Sequence, residues 1–268
     1  MADRYTFLDK LWFLVGSSPV ILLKTIKETP QFLRDYRKYQ RLNRRPSFRI
    51  SIRHLFPILT DRGDSAGIAS GHYFHQDLWA AKRIFERAPA RHIDIGSRVD
   101  GFVAHLLVFM PVTIIDIRDL NSQVTGLNFL RDDATELPRV ANDSVESLSS
   151  LHAAEHFGLG RYSDPIDPAA CFQFMSALQR VLAFGGYLYF SVPVGRERLE
   201  FNAHRIFAPQ TIVDSFPQLQ LVSFSYVGDD GNILENADIE DAAHHEYGCG
   251  LFQFTKPSLD FAGHHADD

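Results

Sequence analysis

The chain of 268 residues has 45% hydrophobic and 22% charged side chains, enough to bury a full core in one large or two small domains. Two cysteines, Cys171 and Cys249, are too few for a disulfide scaffold and suit a reducing compartment. A net charge of −6 weighs against wholesale nucleic-acid binding. The opening residues lack the pattern of a secretory signal, so a cytoplasmic location is expected.

Leu11 to Leu23 is apolar but broken by Gly16-Ser17-Ser18-Pro19, and its 13 residues fall short of the ~20 that a membrane-crossing helix needs. Eight basic residues follow between Arg34 and Arg53 against Asp35 alone, so this segment is +7 and the remainder is −13. Residues 1–56 therefore read as a basic helical arm. Such an arm packs with its arginines in solvent, the commoner case, or lies on an anionic membrane surface through residues 11–53.

Residues 57–257 alternate short apolar runs with helical patterns. His75 to Arg87 has helical spacing, and Arg91 to Gly96 reads as a buried strand feeding a tight turn. Val99 to Met110 reads as a helix, Val112 to Ile117 as a second strand, Leu127 to Leu130 as a third and Val145 to Leu151 as a fourth. A helix from Pro168 to Leu182, broken by Gly185-Gly186, precedes a fifth strand from Tyr187 to Val192. Pro209 to Phe216 is a further helix, and Leu219 to Val227 and Gly250 to Thr255 are late strands around a long acidic loop. The pattern predicts one open α/β sheet with mostly parallel strands and helices on both faces. Residues 258–268 read as a disordered tail.

In such a sheet ligands sit beyond the carboxyl ends of the strands, where the strand order reverses. The first strand ends in Asp94-Ile95-Gly96-Ser97-Arg98-Val99-Asp100-Gly101, where Gly96 allows a tight turn and the amides at the next helix start can face an anion. Asp116, 20 residues beyond Gly96, can accept two hydrogen bonds from a ribose diol. Asp132-Asp133-Ala134 can reach an adenine amino group. These features describe an adenosine-containing ligand. A nicotinamide dinucleotide wants G-x-G-x-x-G, but Arg98 stands at the second glycine. S-adenosylmethionine (SAM) has no pyrophosphate to cradle and tolerates that loss better, although a dinucleotide oxidoreductase stays an alternative.

Ser149 to His156 (SSLHAAEH) and Ala177 to Pro193, with its Arg180-Val181-Leu182-Ala183-Phe184-Gly185-Gly186 turn, resemble the fourth-strand and fifth-strand motifs of class I SAM-dependent methyltransferases. The resemblance spans roughly residues 91–193. It implies a Rossmann-like seven-stranded sheet of order 3-2-1-4-5-7-6 with the last strand antiparallel. Arg98 and Phe184 depart from the Gly and Pro that the family prefers. His72 to Trp79, Asp94 to Phe102, His156 to Tyr162 and Phe201 to Arg205 further resemble a methyltransferase-like family known as a domain of unknown function, of the DUF268 type. That resemblance implies an association with cell-surface polysaccharide genes and brings no established substrate.

On this reading SAM is held by Asp94, Gly96, Ser97, Arg98, Gly101, Asp116, Ile117, Asp133, Ala134, Leu151 and His152. Arg98 either crowds the methionine end or pairs with its carboxylate. Catalytic candidates are His156, which is as readily a structural brace, His204 as a second base, and Glu155, for which the structural reading is favoured. Arg161, Tyr162, Arg196, Arg198, Asn202 and Arg205 are the expected acceptor-binding set, the arginines as clamps on a phosphate or carboxylate. His152 to His156 also spells H-x-x-E-H, but a zinc site of that type needs a helix, and the flanking residues are poor helix formers. The acidic stretch from Asp229 to Glu246, with His244-His245, and the pair His264-His265 read as solvated segments rather than metal sites. The expected function is SAM-dependent methylation of a polar small molecule or glycan without a metal, with a non-catalytic binding protein on the same fold as the alternative.

Overall fold

The computed structural model describes residues 19–59, 61–64 and 67–258. The apolar segment before Pro19, the His264-His265 pair and nearly all of the expected tail lie outside the described residues. The chain divides into two compact units, Met1–Ile68 and Ala69–Asp268. The sequence boundary after residue 56 thus falls inside the first unit.

In the first unit, helix α1 (Pro19–Leu42) carries Pro30 in its interior. Single helical turns follow at Pro46–Phe48, Ile52–His54 and Asp61–Gly63. The last turn closes back on the helix: Arg62 pairs with Glu28 at 3.4 Å and with Asp35, and Lys24 reaches Asp64 at 2.8 Å. None of the described residues in this unit is buried. No helix among the described residues is long and apolar enough to cross a membrane.

The second unit is a Rossmann-like mixed α/β domain built on one eight-stranded sheet. The strands are β1 (His92–Ile95), β2 (Val112–Asp116), β3 (Leu127–Arg131), β4 (Val145–Leu151), β5 (Leu182–Val194), β8 (Gln220–Val227), β9 (Ile233–Leu234) and β10 (Gly248–Thr255). A separate hairpin pairs β6 (Arg198–Glu200) with β7 (His204–Ile206). The order is β3-β2-β1-β4-β5-β10-β8-β9. β1 to β5 pair in parallel, and β10 runs antiparallel to both β5 and β8. β10 and β8 thus take the seventh and sixth places of the expected order, and β9 adds a short edge strand out of the acidic stretch.

Side-chain alternation splits the core between the two faces. In β10, Phe252 and Phe254 pack on one face with Phe174, Met175 and Leu178 of α4 (Ala170–Val181) and Ile212 of α5 (Pro209–Asp214). Cys249 and Leu251 pack on the other face with Trp79 and Ile84 of α2 (His72–Arg87) and with Phe102 and Leu106. Each fully buried apolar side chain contributes about 1.5–3 kcal/mol relative to exposure.

Two local expectations need correction. The helix expected over Val99–Met110 is shorter and irregular: it opens as a π-helical segment, Val99–Val103, and runs on as α3 (Ala104–Leu106). Gly101 lies so close to α2 that a Cβ there would stand 2.5 Å from Asp77 Oδ2, and Phe102, Val103 and Leu106 are all completely buried. Likewise, Gly185-Gly186 does not divide helix from strand, because β5 already begins at Leu182. Residues 183–186 bulge out of the β4–β5 pairing, whose register jumps from Leu182 to Tyr187, with Gly185 in the left-handed region at φ 74°.

Candidate active site

The sheet order reverses between β1 and β4, and the loops at the carboxyl ends of β1 to β4 enclose a cavity of about 250 Å³. Gly96, Asp116, Ile117, Asp133, Ala134, His152, His156 and Tyr162, all chosen from the sequence, line it. Ile95, Ile115 and Phe157 add apolar wall.

The turn after β1 is braced from beneath. Asp94 is fully buried and accepts hydrogen bonds from Ser97 N (3.2 Å), Ser97 Oγ (2.6 Å) and Ser149 Oγ (2.5 Å). Because Ser149 gives its proton to Asp94, its oxygen accepts from His92 Nε2 at 2.8 Å, and His92 Nδ1 in turn accepts from Ser147 Oγ at 2.8 Å. Burial pushes His92 down to about 3 and keeps it neutral, as this chain of bonds requires. Burial also lifts the Asp94 carboxyl to about 6 against its three donors. Ser97 Oγ further accepts from Leu151 N at 3.0 Å, tying the turn to β4. Asp94, Ser97 and Leu151 therefore shape the cavity from outside its lining. Gly96 sits at φ 74°, and a Cβ on it would come within 2.9 Å of Ala153 Cβ.

Arg98 lies away from the cavity lining and pairs with Asp100 at 3.1 Å over the Tyr73 ring. Gly101 also lies off the lining, against Asp77. At the end of β2, Asp116 accepts from Arg118 N (2.8 Å), Nε (3.0 Å) and Nη2 (2.8 Å). Burial opposes the charge on Asp116, but the guanidinium wins and holds the carboxyl below its ordinary value. Arg118 itself lines the cavity and stands 4.9 Å from the Tyr162 ring centroid. Asp133 spends Oδ1 on Thr135 N and Oγ1, at 2.9 and 2.7 Å, which shapes the turn after β3.

His156 forms the rim opposite. Its Nδ1 donates to Ala203 O at 2.8 Å, leaving Nε2 with the lone pair. Burial lowers its pKa, assisted by Arg161 and opposed by Glu155. The imidazole is therefore a neutral base. Glu155 is 1% exposed, and its Oε1 is 2.7 Å from His152 Nδ1, so it braces the wall from behind. Burial would lower His152, but Cys249 and Glu155 outweigh it and hold the ring well above its ordinary value. His204 lies off the lining, 3.5 Å from Glu200 and 6.4 Å from the His156 ring.

The expected acceptor clamps are engaged elsewhere. Arg205 donates to Phe157 O at 2.6 Å and Arg161 to Ala203 O at 2.8 Å, so both pin loop carbonyls. Arg198 pairs with Glu200 at 3.0 Å and Arg196 with Glu246 at 3.4 Å. Asn202 is exposed in the β6–β7 turn. The cation that does face the cavity, Arg118, was missed by sequence reasoning. Its signal is a basic residue two positions beyond the acid that ends β2.

A family model described as "Caenorhabditis protein of unknown function, DUF268" matches residues 116–241. No curated protein matches the chain. Among solved structures, the cyclase SpnF is 14% identical, with 72% of this chain and 89% of that chain covered at a TM-score of 0.50. The 1,6-didemethyltoxoflavin-N1-methyltransferase of Burkholderia thailandensis, with bound S-adenosylhomocysteine, is 15% identical over 68% of this chain and 79% of its own, also at 0.50. A structure described as a sarcosine dimethylglycine methyltransferase from Galdieria sulphuraria is 13% identical over 69% and 86%, again at 0.50. These likenesses establish a shared fold. The family model thus covers just under half of the chain, and the sheet order is that of the Rossmann-like fold these solved structures share.

Proposed function

We propose that the chain is a SAM-dependent methyltransferase whose acceptor is a polar small molecule or a glycan. One observation carries the reading: the Gly96 turn, Asp116 and the Asp133-Ala134 pair, at the ends of three adjacent parallel strands, line a single cavity. The turn would take the methionine end, Asp116 the ribose diol, and Ala134 with the isoleucine wall the adenine. Methyl transfer is an in-line displacement, in which the acceptor oxygen bonds to the methyl carbon as the carbon–sulfur bond breaks and the sulfur leaves as a neutral thioether. His156 Nε2 is the candidate to take the acceptor's proton, and much of the acceleration would come from positioning. An acceptor from cell-surface polysaccharide synthesis is part of this proposal, and its support is the sequence resemblance to the DUF268 type alone.

Calorimetric titration with S-adenosylhomocysteine tests the cofactor. Micromolar binding that is lost in Asp116→Ala supports the reading, and no binding by the native chain defeats it. A second reading, another ligand chemistry on this fold, draws on the Arg118 clamp over Asp116 and on a neighbour described as a cyclase. It predicts nucleoside binding with no methyl transfer to any polar acceptor.

The basic first unit is proposed to meet an anionic membrane at its cytoplasmic face, with no role for nucleic acid. Leu23, Ile26, Phe48 and Ile52 are exposed beside the arginine-rich stretch. Cosedimentation with anionic but not neutral vesicles supports this, and equal behaviour with both refutes it.

A further inference from the structure

We propose that His72, His152 and Cys249 form a three-ligand site for a divalent ion of the zinc class, set in the wall of the cavity that His152 also lines. The three residues come from the start of α2, the turn after β4 and the first residues of β10, so the fold rather than a local motif assembles them. Their candidate ligand atoms all lie within 4.8 Å of one another.

The surroundings have the form that metal-bound histidines adopt, one ring nitrogen held from outside and the other free to ligate. His72 Nε2 is 3.2 Å from Tyr247 O, which fixes that nitrogen as the donor and frees Nδ1. His152 Nδ1 is held by Glu155 Oε1 at 2.7 Å, while Nε2 is buried on the side of Cys249. The two ring centroids are 5.3 Å apart, with 19° between the ring planes. Two imidazoles on one tetrahedral ion, with metal–nitrogen bonds near 2.0 Å, place their centroids about 5 Å apart.

Charge and softness point the same way. A thiolate and two neutral imidazoles suit zinc, and three protein ligands leave a fourth position open. The Cys249 thiolate and the buried Glu155 carboxylate together balance a divalent charge, so the filled site is neutral inside the protein. A nucleophilic role for Cys249 is excluded by access, because it has no exposed surface. Its nearest polar neighbours outside the cluster, Gln76 Oε1 and Gly250 O, are both 3.9 Å away. The H-x-x-E-H reading is resolved along with this. His152 comes together with His72 and Cys249, whereas His156 turns to Ala203.

The test is independent of SAM. The full chain, stripped with a chelator, is titrated with Co²⁺ and then with Zn²⁺. The proposal expects one Co²⁺ per chain, a thiolate-to-cobalt charge-transfer band, and displacement of that ion by Zn²⁺. Cys249→Ser should abolish the band, Cys171→Ser should keep it, and Glu155→Gln should weaken the metal 10- to 100-fold. His72→Ala, at a partly exposed position, should lower affinity at least tenfold and serves if the Cys249 variant does not fold. No stoichiometric binding by the native chain, a band that survives Cys249→Ser, or unchanged affinity in His72→Ala would each overturn the site. A metal-free network of His152, Cys249 and Glu155 would then be the better account.

Discussion

Arg118 grips both carboxylate oxygens of Asp116, through Nε at 3.0 Å and Nη2 at 2.8 Å, and so occupies the group best placed to receive a ribose diol. The guanidinium side chain is 57% exposed, so the pair is worth at most about 1 kcal/mol. A nucleoside therefore competes for Asp116 at modest cost. Arg118→Ala should tighten S-adenosylhomocysteine by up to about fivefold. Asp116→Ala should weaken it tenfold or more, since the diol then has no acceptor. Calorimetry reads both, and weaker binding in Arg118→Ala would show that the arginine holds the ligand instead.

The buried chain from Ser147 through His92 and Ser149 to Asp94 makes a stability prediction. Ser149→Ala removes a donor from Asp94 and leaves His92 Nε2 unpaired, which should cost about 1–3 kcal/mol in a denaturant titration.

The same chain hides a pH dependence. Between pH 4 and 6 the folded protein keeps a proton on Asp94 that the unfolded chain releases, so this group loses stability as pH rises. His92 does the opposite, because the unfolded chain is protonated there and the folded one is not, so stability rises with pH. The two slopes nearly cancel. Asp94→Asn removes one of them and should make stability climb with pH across this window, by up to about 1.4 kcal/mol per unit relative to the native chain. A variant whose slope matches the native protein's would refute the assignment.

If His156 is the base, His156→Ala should lower turnover about 100- to 10,000-fold while the affinity for S-adenosylhomocysteine stays within about twofold. Burial lowers its pKa, so the acid limb of the rate profile should fall below pH 6.5, with a plateau across neutrality. A limb above 6.5 would point to a different group.

Gly158 offers a backbone test. It sits at φ 75°, and a Cβ there would stand 1.8 Å from Asp167 O. Gly158→Ala should destabilise the fold by more than the usual ~1 kcal/mol of a point mutation and loosen the loop that carries Tyr162. Thermal melting would read the first effect, and a stability unchanged from the native chain would count against the close approach.

The sheet was legible because its strands are short apolar-rich runs set between polar or glycine residues, β2 (Val112–Asp116) most plainly, and Gly96, Asp116 and Asp133 fall at or just after the ends of the first three. The π-helical winding at Val99–Val103 was hidden, since Gly101 there meets Asp77 of another helix, a contact that the local sequence does not show. The arginines Arg161 and Arg205 read as clamps because the sequence does not show which backbone carbonyls will lie beside them. His72 and Cys249 gave no signal for the same reason: nothing near either residue foretells that α2 and β10 converge on the turn after β4.

Helix α1 has consequences for how the molecule melts. A helix of 24 residues with an internal proline and no buried side chain among those described gains little from packing. Its helicity then rests on intrinsic propensity and on the exposed pairs that Lys24 and Arg62 make, which salt weakens. The arm's helicity therefore depends on ionic strength, whereas the sheet is held chiefly by buried apolar packing. Raising salt should cost far-ultraviolet helical signal long before it alters the cooperative melting of the domain that carries the cavity.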